Sequence, residues 1–202
     1  MLGIIDYGSG NIFAFQSIYK GLNIPHTIIK SKEDFNACSH IILPGVGDYD
    51  ETLRLLANKG YTELLEKHVL IEGKFFLGIC VGMQVLGTNS EEGSLPGLNW
   101  IPGNVQIIKS EKDNLRLPHM GWNSLSMNKD SELIKGINGE DGAYFLHNYE
   151  FLPKDKEVII ASAEYGKAIT SIIHKDNIFG VQFHPEKSLD NGTMLLKNFS
   201  NL

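Results

Sequence analysis

Cys38 and Cys80 are the only cysteines in 202 residues, too few for a disulfide framework and in keeping with a reducing compartment where a thiol stays free. Positive charge is also scarce. The chain has 18 Lys and Arg against 24 Asp and Glu, a formal net charge of −6, which argues against a nucleic-acid groove or an anionic membrane surface as partner. No apolar run approaches the ~20 residues that a membrane span needs, and residues 75–80 are among the longest. The opening Met1-Leu2-Gly3-Ile4-Ile5-Asp6 has no basic stretch and no small-residue cleavage site, so no secretory signal is expected. No two His or Cys residues stand at metal-ligand spacing, and neither a metal nor a cofactor is expected. What remains is an ordinary composition, 42% hydrophobic and 21% charged, over residues 1–202, the length of one domain with a sizeable core. The expectation is a cytoplasmic α/β enzyme or binding domain.

Short apolar runs alternate with helical patterns in the first half, which predicts a mostly parallel central sheet flanked by helices. Strands are predicted over 2–6, 26–30, 40–43 and 75–79, and helices over 11–20, 53–57 and 61–71, with another opening over 81–86. Turn signals stand at Gly8-Ser9-Gly10 and at Pro44-Gly45-Val46-Gly47. In the second half, strand-like runs at 104–108, 143–147, 158–163, 169–174 and 178–183 follow one another with few helical patterns between them. That predicts antiparallel additions beside the parallel core, closed by a helix over 192–199. Residues 87–97 and 110–118 read as loops.

The most informative string is Gly78-Ile79-Cys80-Val81-Gly82, between a predicted buried strand and a predicted helix. This is the layout of a nucleophile elbow with cysteine as the nucleophile. A sharp strand-to-helix turn strains the backbone at the nucleophile, and flanking glycines remove Cβ atoms that would clash. A helix N-terminus there favours a thiolate, and the Val81 N–H points where an oxyanion would form. A free cysteine is more often a small buried hydrophobe, and Cys38, which has no such setting, reads as that.

A cysteine nucleophile needs a base, and the chain offers seven histidines. His184 follows a predicted buried strand, and catalytic groups in open α/β sheets collect at the carboxyl ends of strands, where Cys80 also sits. Glu186, two residues on across Pro185, is placed to orient it, in the chain order Cys, His, Glu. His-Pro-Glu alone would read as a surface turn; its weight comes from the elbow. His119 and His147 are competing bases, and His147 also reads as a supporting or interface group. The Pro44-Gly45-Val46-Gly47 turn ends a strand on the same rim and can aim a second backbone N–H at an oxyanion. Gln84, one helical turn after Cys80, faces the same side.

Together these strings resemble the class I (triad) glutamine amidotransferases, which pair a Gly-x-Cys-x-Gly elbow with a later His-x-Glu. Within that family the resemblance is to the glutaminase subunits of imidazole glycerol phosphate synthase. It rests on Asp6-Tyr7-Gly8-Ser9-Gly10-Asn11, Pro44-Gly45-Val46-Gly47, Gly78 to Gln84, Ser90-Glu91-Glu92-Gly93, Pro118-His119-Met120-Gly121-Trp122-Asn123, Tyr144-Phe145-Leu146-His147 and Gln182 to Ser188. It implies that Cys80 is the nucleophile, His184 the base and Glu186 its orienter. Gly45, Val46 and Val81 would form the oxyanion hole, and Gln84 would help hold glutamine. It also implies a (βα)8-barrel synthase partner that receives the ammonia, with Asn11, Pro118, Met120, Trp122, His147 and Lys187 at or near the contact. Departures at Val81, at Gly87-Thr88-Asn89 and at Asn148 leave the triad untouched but leave the pathway open, because similar subunits feed amidino-sugar assembly.

A docked consumer is also expected on chemical grounds. Ammonia released into water would be wasted as ammonium, and 202 residues leave nothing over for an acceptor domain. A γ-glutamyl hydrolase, a glutaminase of pyridoxal phosphate synthesis and a non-catalytic binding module are the rival readings. The 118–123 segment counts against the two enzymes and the intact triad against the module.

Overall fold

The structure, a computed structural model, describes residues 1–109 and 115–202. The first half runs β1 (Leu2–Ile5), α1 (Ile12–Gly21), β2 (His26–Ile29), β3 (His40–Leu43), α2 (Tyr49–Asn58), α3 (Tyr61–Leu65), β4 (Phe75–Ile79) and α4 (Val81–Gln84). Then come β5 (Asn89–Ser90), β6 (Gly103–Ile107), β7 (His119–Asn123), β8 (Ser126–Met127), β9 (Ala143–His147) and β10 (Tyr149–Pro153). The chain closes with β11 (Ile159–Glu164), β12 (Ala168–Lys175), β13 (Ile178–Val181) and α5 (Leu189–Phe199).

The main sheet has the order β2-β1-β3-β4-β13-β12-β11-β8. Pairing is parallel from β2 through β13 and antiparallel beyond it. This is the expected mostly parallel sheet with antiparallel additions. A small sheet β10-β6-β5 and a two-stranded ribbon β7-β9 lie apart from it. Successive side chains of the buried strands alternate between two cores, as the pleat requires. Ile5, Ile41 and Phe76 pack with Tyr49, Leu56 and Leu65 of α2 and α3. Ile4, Ile42 and Leu77 pack with Phe15 and Tyr19 of α1 and with Leu195 and Phe199 of α5. Each such side chain contributes roughly 1.5–3 kcal/mol when fully buried.

Several spans differ from the periodicity reading. The helix read over 53–57 begins at Tyr49, because the Asp48 side chain accepts from the Glu51 amide at 2.7 Å and caps it. Residues 61–71 are α-helical only to Leu65 and continue as a π-helical stretch, Glu66–Ile71. Helix α5 starts at Leu189 rather than at 192; no side-chain cap marks its start, since Ser188 Oγ is turned to the His184 carbonyl. Strands β5, β7, β8 and β10 do not stand out in the hydrophobic pattern. Of the loop expected over 110–118, residues 110–114 lie outside the described residues and 115–118 carry no strand.

Candidate active site

The strand order sets the site. Strand β4 lies between β3, which runs into the 44–47 turn, and β13, which runs toward His184. All three are parallel, so their carboxyl ends open on one rim.

Cys80 follows β4 with φ 55° and ψ −114°. A left-handed backbone at a non-glycine residue costs of order 1–3 kcal/mol and persists only where the surroundings over-determine it. Here the Cys80 amide donates to the Val181 carbonyl of β13 at 2.8 Å, and the Cys80 carbonyl accepts from Met83 and Gln84 at 3.0 and 3.2 Å. A Cβ on Gly78 would run into the Gly82 backbone, so the elbow closes only with glycine there. The helix expected over 81–86 is a single turn, because the carbonyls of Val85 and Leu86 are taken by the amides of Leu98 and Ile101. Its macrodipole is therefore small, and the positive end rests on the first N–H groups of that turn.

His184 sits three residues beyond β13, on a turn formed by Pro185–Lys187. Its amide donates to the Tyr144 carbonyl at 2.9 Å, and Ser188 Oγ donates to its carbonyl at 2.7 Å. Ring Nδ1 lies 3.1 Å from Glu186 Oε1, and the two side chains are 3% and 1% exposed. Burial alone would lower the His184 pKa. Hydrogen bonds and charge from Cys80 and then Glu186 outweigh it and push the ring up to about 9. The fold thus brings Cys80, His184 and Glu186 together in the order expected.

Gly45 packs directly on the elbow, where a Cβ would meet Gly82 N, Ile79 O and Val81 Cγ1. Ser9 Oγ of the turn after β1 donates to the Val46 carbonyl at 2.6 Å and holds the 44–47 segment over the nucleophile. Gly47, Cys80, Val81, Gln84 and Glu92 line a pocket of about 110 Å³, walled by Leu146 to Tyr149. A larger surface depression of about 660 Å³ beside Glu132 and Lys135 is lined by neither cysteine nor histidine. Gln84 is buried, with Nε2 donating to the Tyr149 carbonyl at 3.1 Å and to Gln182 Oε1 at 3.0 Å. Among the described residues no group of three or more His, Cys, Asp or Glu is placed to hold a metal ion.

The residues expected at a partner contact divide. Met120 and Trp122 point outward from β7, 64% and 50% exposed, and Asn11 and Lys187 are exposed as well. Lys187 Nζ lies over the Tyr144 ring, which stands edge-on to Trp122. Pro118 is half-buried. His147 is buried, with Nδ1 bonded to the Tyr149 carbonyl at 2.7 Å. It stands behind that outer surface and faces the pocket, because strand alternation turns it to the inner side of the β7–β9 ribbon.

Residues 4–201 match the family model "Glutamine amidotransferase class-I". The chain is a class I glutamine amidotransferase. This amidotransferase is similar along its whole length to curated relatives that share the name imidazole glycerol phosphate synthase subunit HisH. The protein of Leptospira borgpetersenii is 41% identical over 204 residues, and that of Bdellovibrio bacteriovorus 43%, each pair covering 100% of both chains. Among solved structures, a putative GMP synthase protein from Thermoplasma acidophilum has a TM-score of 0.73 at 19% identity, covering 99% of this chain and 92% of its own. The structure of PurLQS from Thermotoga maritima has a TM-score of 0.68 at 18% identity, covering 99% of this chain and 97% of that one. These likenesses speak to the fold.

The fold of the amidotransferase also brings to the site residues that the sequence reading gave no role. Gln182, fully buried, directs Nε2 toward the Cys80 sulfur at 3.7 Å. Ser188 braces the His184 backbone. Glu92 accepts from the Tyr49 amide at 3.2 Å, and burial raises its pKa. Gln182 and Ser188 fall within the 182–188 string that carries the resemblance, but only the fold shows what they touch.

Proposed function

We propose that this amidotransferase is the glutaminase subunit of an imidazole glycerol phosphate synthase, with residues 1–202 acting as one domain and Cys80, His184 and Glu186 as its triad. The observation that carries the reading is the place of β4 between β3 and β13, which gathers nucleophile, oxyanion turn and base on one rim.

The chemistry follows from the geometry. The Cys80 thiolate attacks the side-chain carboxamide carbon of glutamine and forms a C–S bond. The N–H of Val81 and the turn at Gly45 and Val46 hold the tetrahedral oxyanion, each such donor being worth roughly 10²–10³-fold in rate. His184, held as imidazolium by Glu186, gives its proton to the departing nitrogen as the C–N bond breaks and ammonia leaves. Water then attacks the thioester with His184 taking its proton, and glutamate leaves as the sulfur is released. Gln84, with its amide nitrogen already engaged, has its carbonyl oxygen free to meet the substrate.

Ammonia released into water is protonated, so the product needs a docked acceptor. The exposed Met120, Trp122 and Lys187, with Asn11 and Pro118, form the surface for a (βα)8-barrel synthase in a heterodimer. The test is glutamate release from glutamine by the purified chain, alone and with the synthase barrel and its nucleotide substrate. A large rise in rate that Cys80→Ala abolishes is the expected result. No rise with that barrel would overturn the pathway, and glutamate release undiminished in Cys80→Ala would overturn the triad.

A further inference from the structure

His119 and His147 form a buried imidazole pair that the reaction above does not use. His119 is on the inner face of β7, 2% exposed, stacked against Phe145 and Tyr165 at 4.4 and 4.0 Å between ring centroids. It faces His147 directly across the β7–β9 pairing, and His147 in turn lines the Cys80 pocket.

The hydrogen bonds run in one line. Asn123 Nδ2 donates to the Glu164 carbonyl at 2.9 Å and lies 3.1 Å from His119 Nε2. His119 Nδ1 is 3.0 Å from His147 Nε2, and His147 Nδ1 is 2.7 Å from the Tyr149 carbonyl. Both ends of the line are backbone carbonyls, which only accept, so every proton is assigned. Asn123 donates to His119 Nε2, His119 Nδ1–H donates to His147 Nε2, and His147 Nδ1–H donates to Tyr149. Beyond Tyr149 the same carbonyl accepts from Gln84, which donates to Gln182, whose amide faces the Cys80 sulfur.

Only neutral rings fit this line. A proton added to His119 would set an N–H against the Asn123 amide N–H, and one added to His147 would face the N–H of His119. Burial holds both rings below the ordinary histidine value, His119 at about 4 and His147 at about 3. A neutral His147 also avoids a second positive charge beside the His184 imidazolium.

We propose that His119 and His147 are positioning residues of the glutaminase: a neutral donor–acceptor pair that ties the Tyr149 carbonyl, and with it Gln84 and the pocket wall, to strand β7. The proposal rests on the reading of the Cys80 pocket as the glutamine site.

The test is protection of Cys80 against iodoacetamide by glutamine in the purified full chain, read at the Cys80 peptide by mass. Three variants separate hydrogen bonding from packing. His119→Asn keeps a donor where Nδ1 was. His119→Gln reaches only the Nε2 position. His119→Phe fills the space between Phe145 and Tyr165 with neither. Loss of a buried hydrogen bond predicts that half-protection needs about tenfold more glutamine in the Phe and Gln variants, and less than about threefold more in Asn. A packing role gives the reverse order, with Phe mildest, and that order or three equal effects would overturn the proposal. Failure of glutamine to protect the native chain would remove the pocket reading as well. Equal protection of the native chain and the Phe variant would remove only this proposal.

Discussion

The Cys80 amide donates to the Val181 carbonyl across 2.8 Å, so the proposed nucleophile is bonded to the very strand that leads to its proposed base. Strand β13 leads to His184 within three residues, and a change in β4–β13 register would move nucleophile and base apart together. The geometry of the triad is a property of this strand pair, and four expectations follow from it and its surroundings.

Glu186→Gln keeps the shape of the orienter but cannot stabilise the imidazolium. With Oε1 at 3.1 Å from His184 Nδ1, its loss is expected to lower kcat while leaving KM for glutamine nearly unchanged. The drop should lie within the ~10²–10⁴-fold range of general acid–base catalysis. Steady-state glutamate release reads it, and a loss carried by KM instead would contradict the assigned role.

The His184 ring, raised from 6.5 to about 9 in the folded chain, gives a pH signature to stability. Between these values the folded state binds the extra proton and the unfolded state does not. The stabilisation is therefore full below about pH 6.5 and is lost as the pH rises through about 9. It amounts to a few kcal/mol, roughly 1.4 per pKa unit. Urea unfolding from pH 6 to pH 10 should show this decline in the native chain, a shallower one in Glu186→Gln and the shallowest in Cys80→Ala, since Cys80 is the larger source of the raised value.

Gly45→Ala places a Cβ against Gly82 N, Ile79 O and Val81 Cγ1, where backbone cannot yield. The turn should lift from the elbow, destabilising the fold by about 1–3 kcal/mol as overpacking does. Displacing an oxyanion donor lowers kcat by roughly 10²–10³-fold. Thermal unfolding and glutamate release on the same preparation check both, and a fully active variant would remove Gly45 from the oxyanion hole.

Trp122→Ala removes an aromatic side chain that is half exposed on β7 beside Tyr144. If this face receives the synthase, affinity should fall by at least about tenfold, as truncating an interface aromatic does, with little change in melting temperature. Titration of the labelled barrel measures it, and unchanged affinity would place the contact elsewhere.

Much of the fold is readable because its signals are local. Buried parallel strands are short runs of Ile, Leu and Phe, so β1, β3 and β4 stand out in the sequence, whereas β10 carries a buried Glu150 and ends in Pro153 and does not. The start of α2 rests on one side-chain cap at Asp48, a signal that hydrophobic periodicity passes over. Strand β7 is even less visible, since its His119 and Asn123 are held by hydrogen bonds and ring stacking rather than by apolar burial.

Local sequence is enough to propose the chemistry of the elbow with its base and orienter, and to place the family, because turn geometry and short spacings are encoded within a few neighbouring residues. What surrounds that chemistry comes from the assembled sheet alone. Gln182 reaches Gln84 and Cys80 from 98 and 102 positions away, and His147 meets His119 from 28 positions away. The same assembly turns His147 inward and leaves Trp122 outside. Such contacts depend on strand order and register, which are settled by the packing of the whole sheet and not by any one segment of the chain.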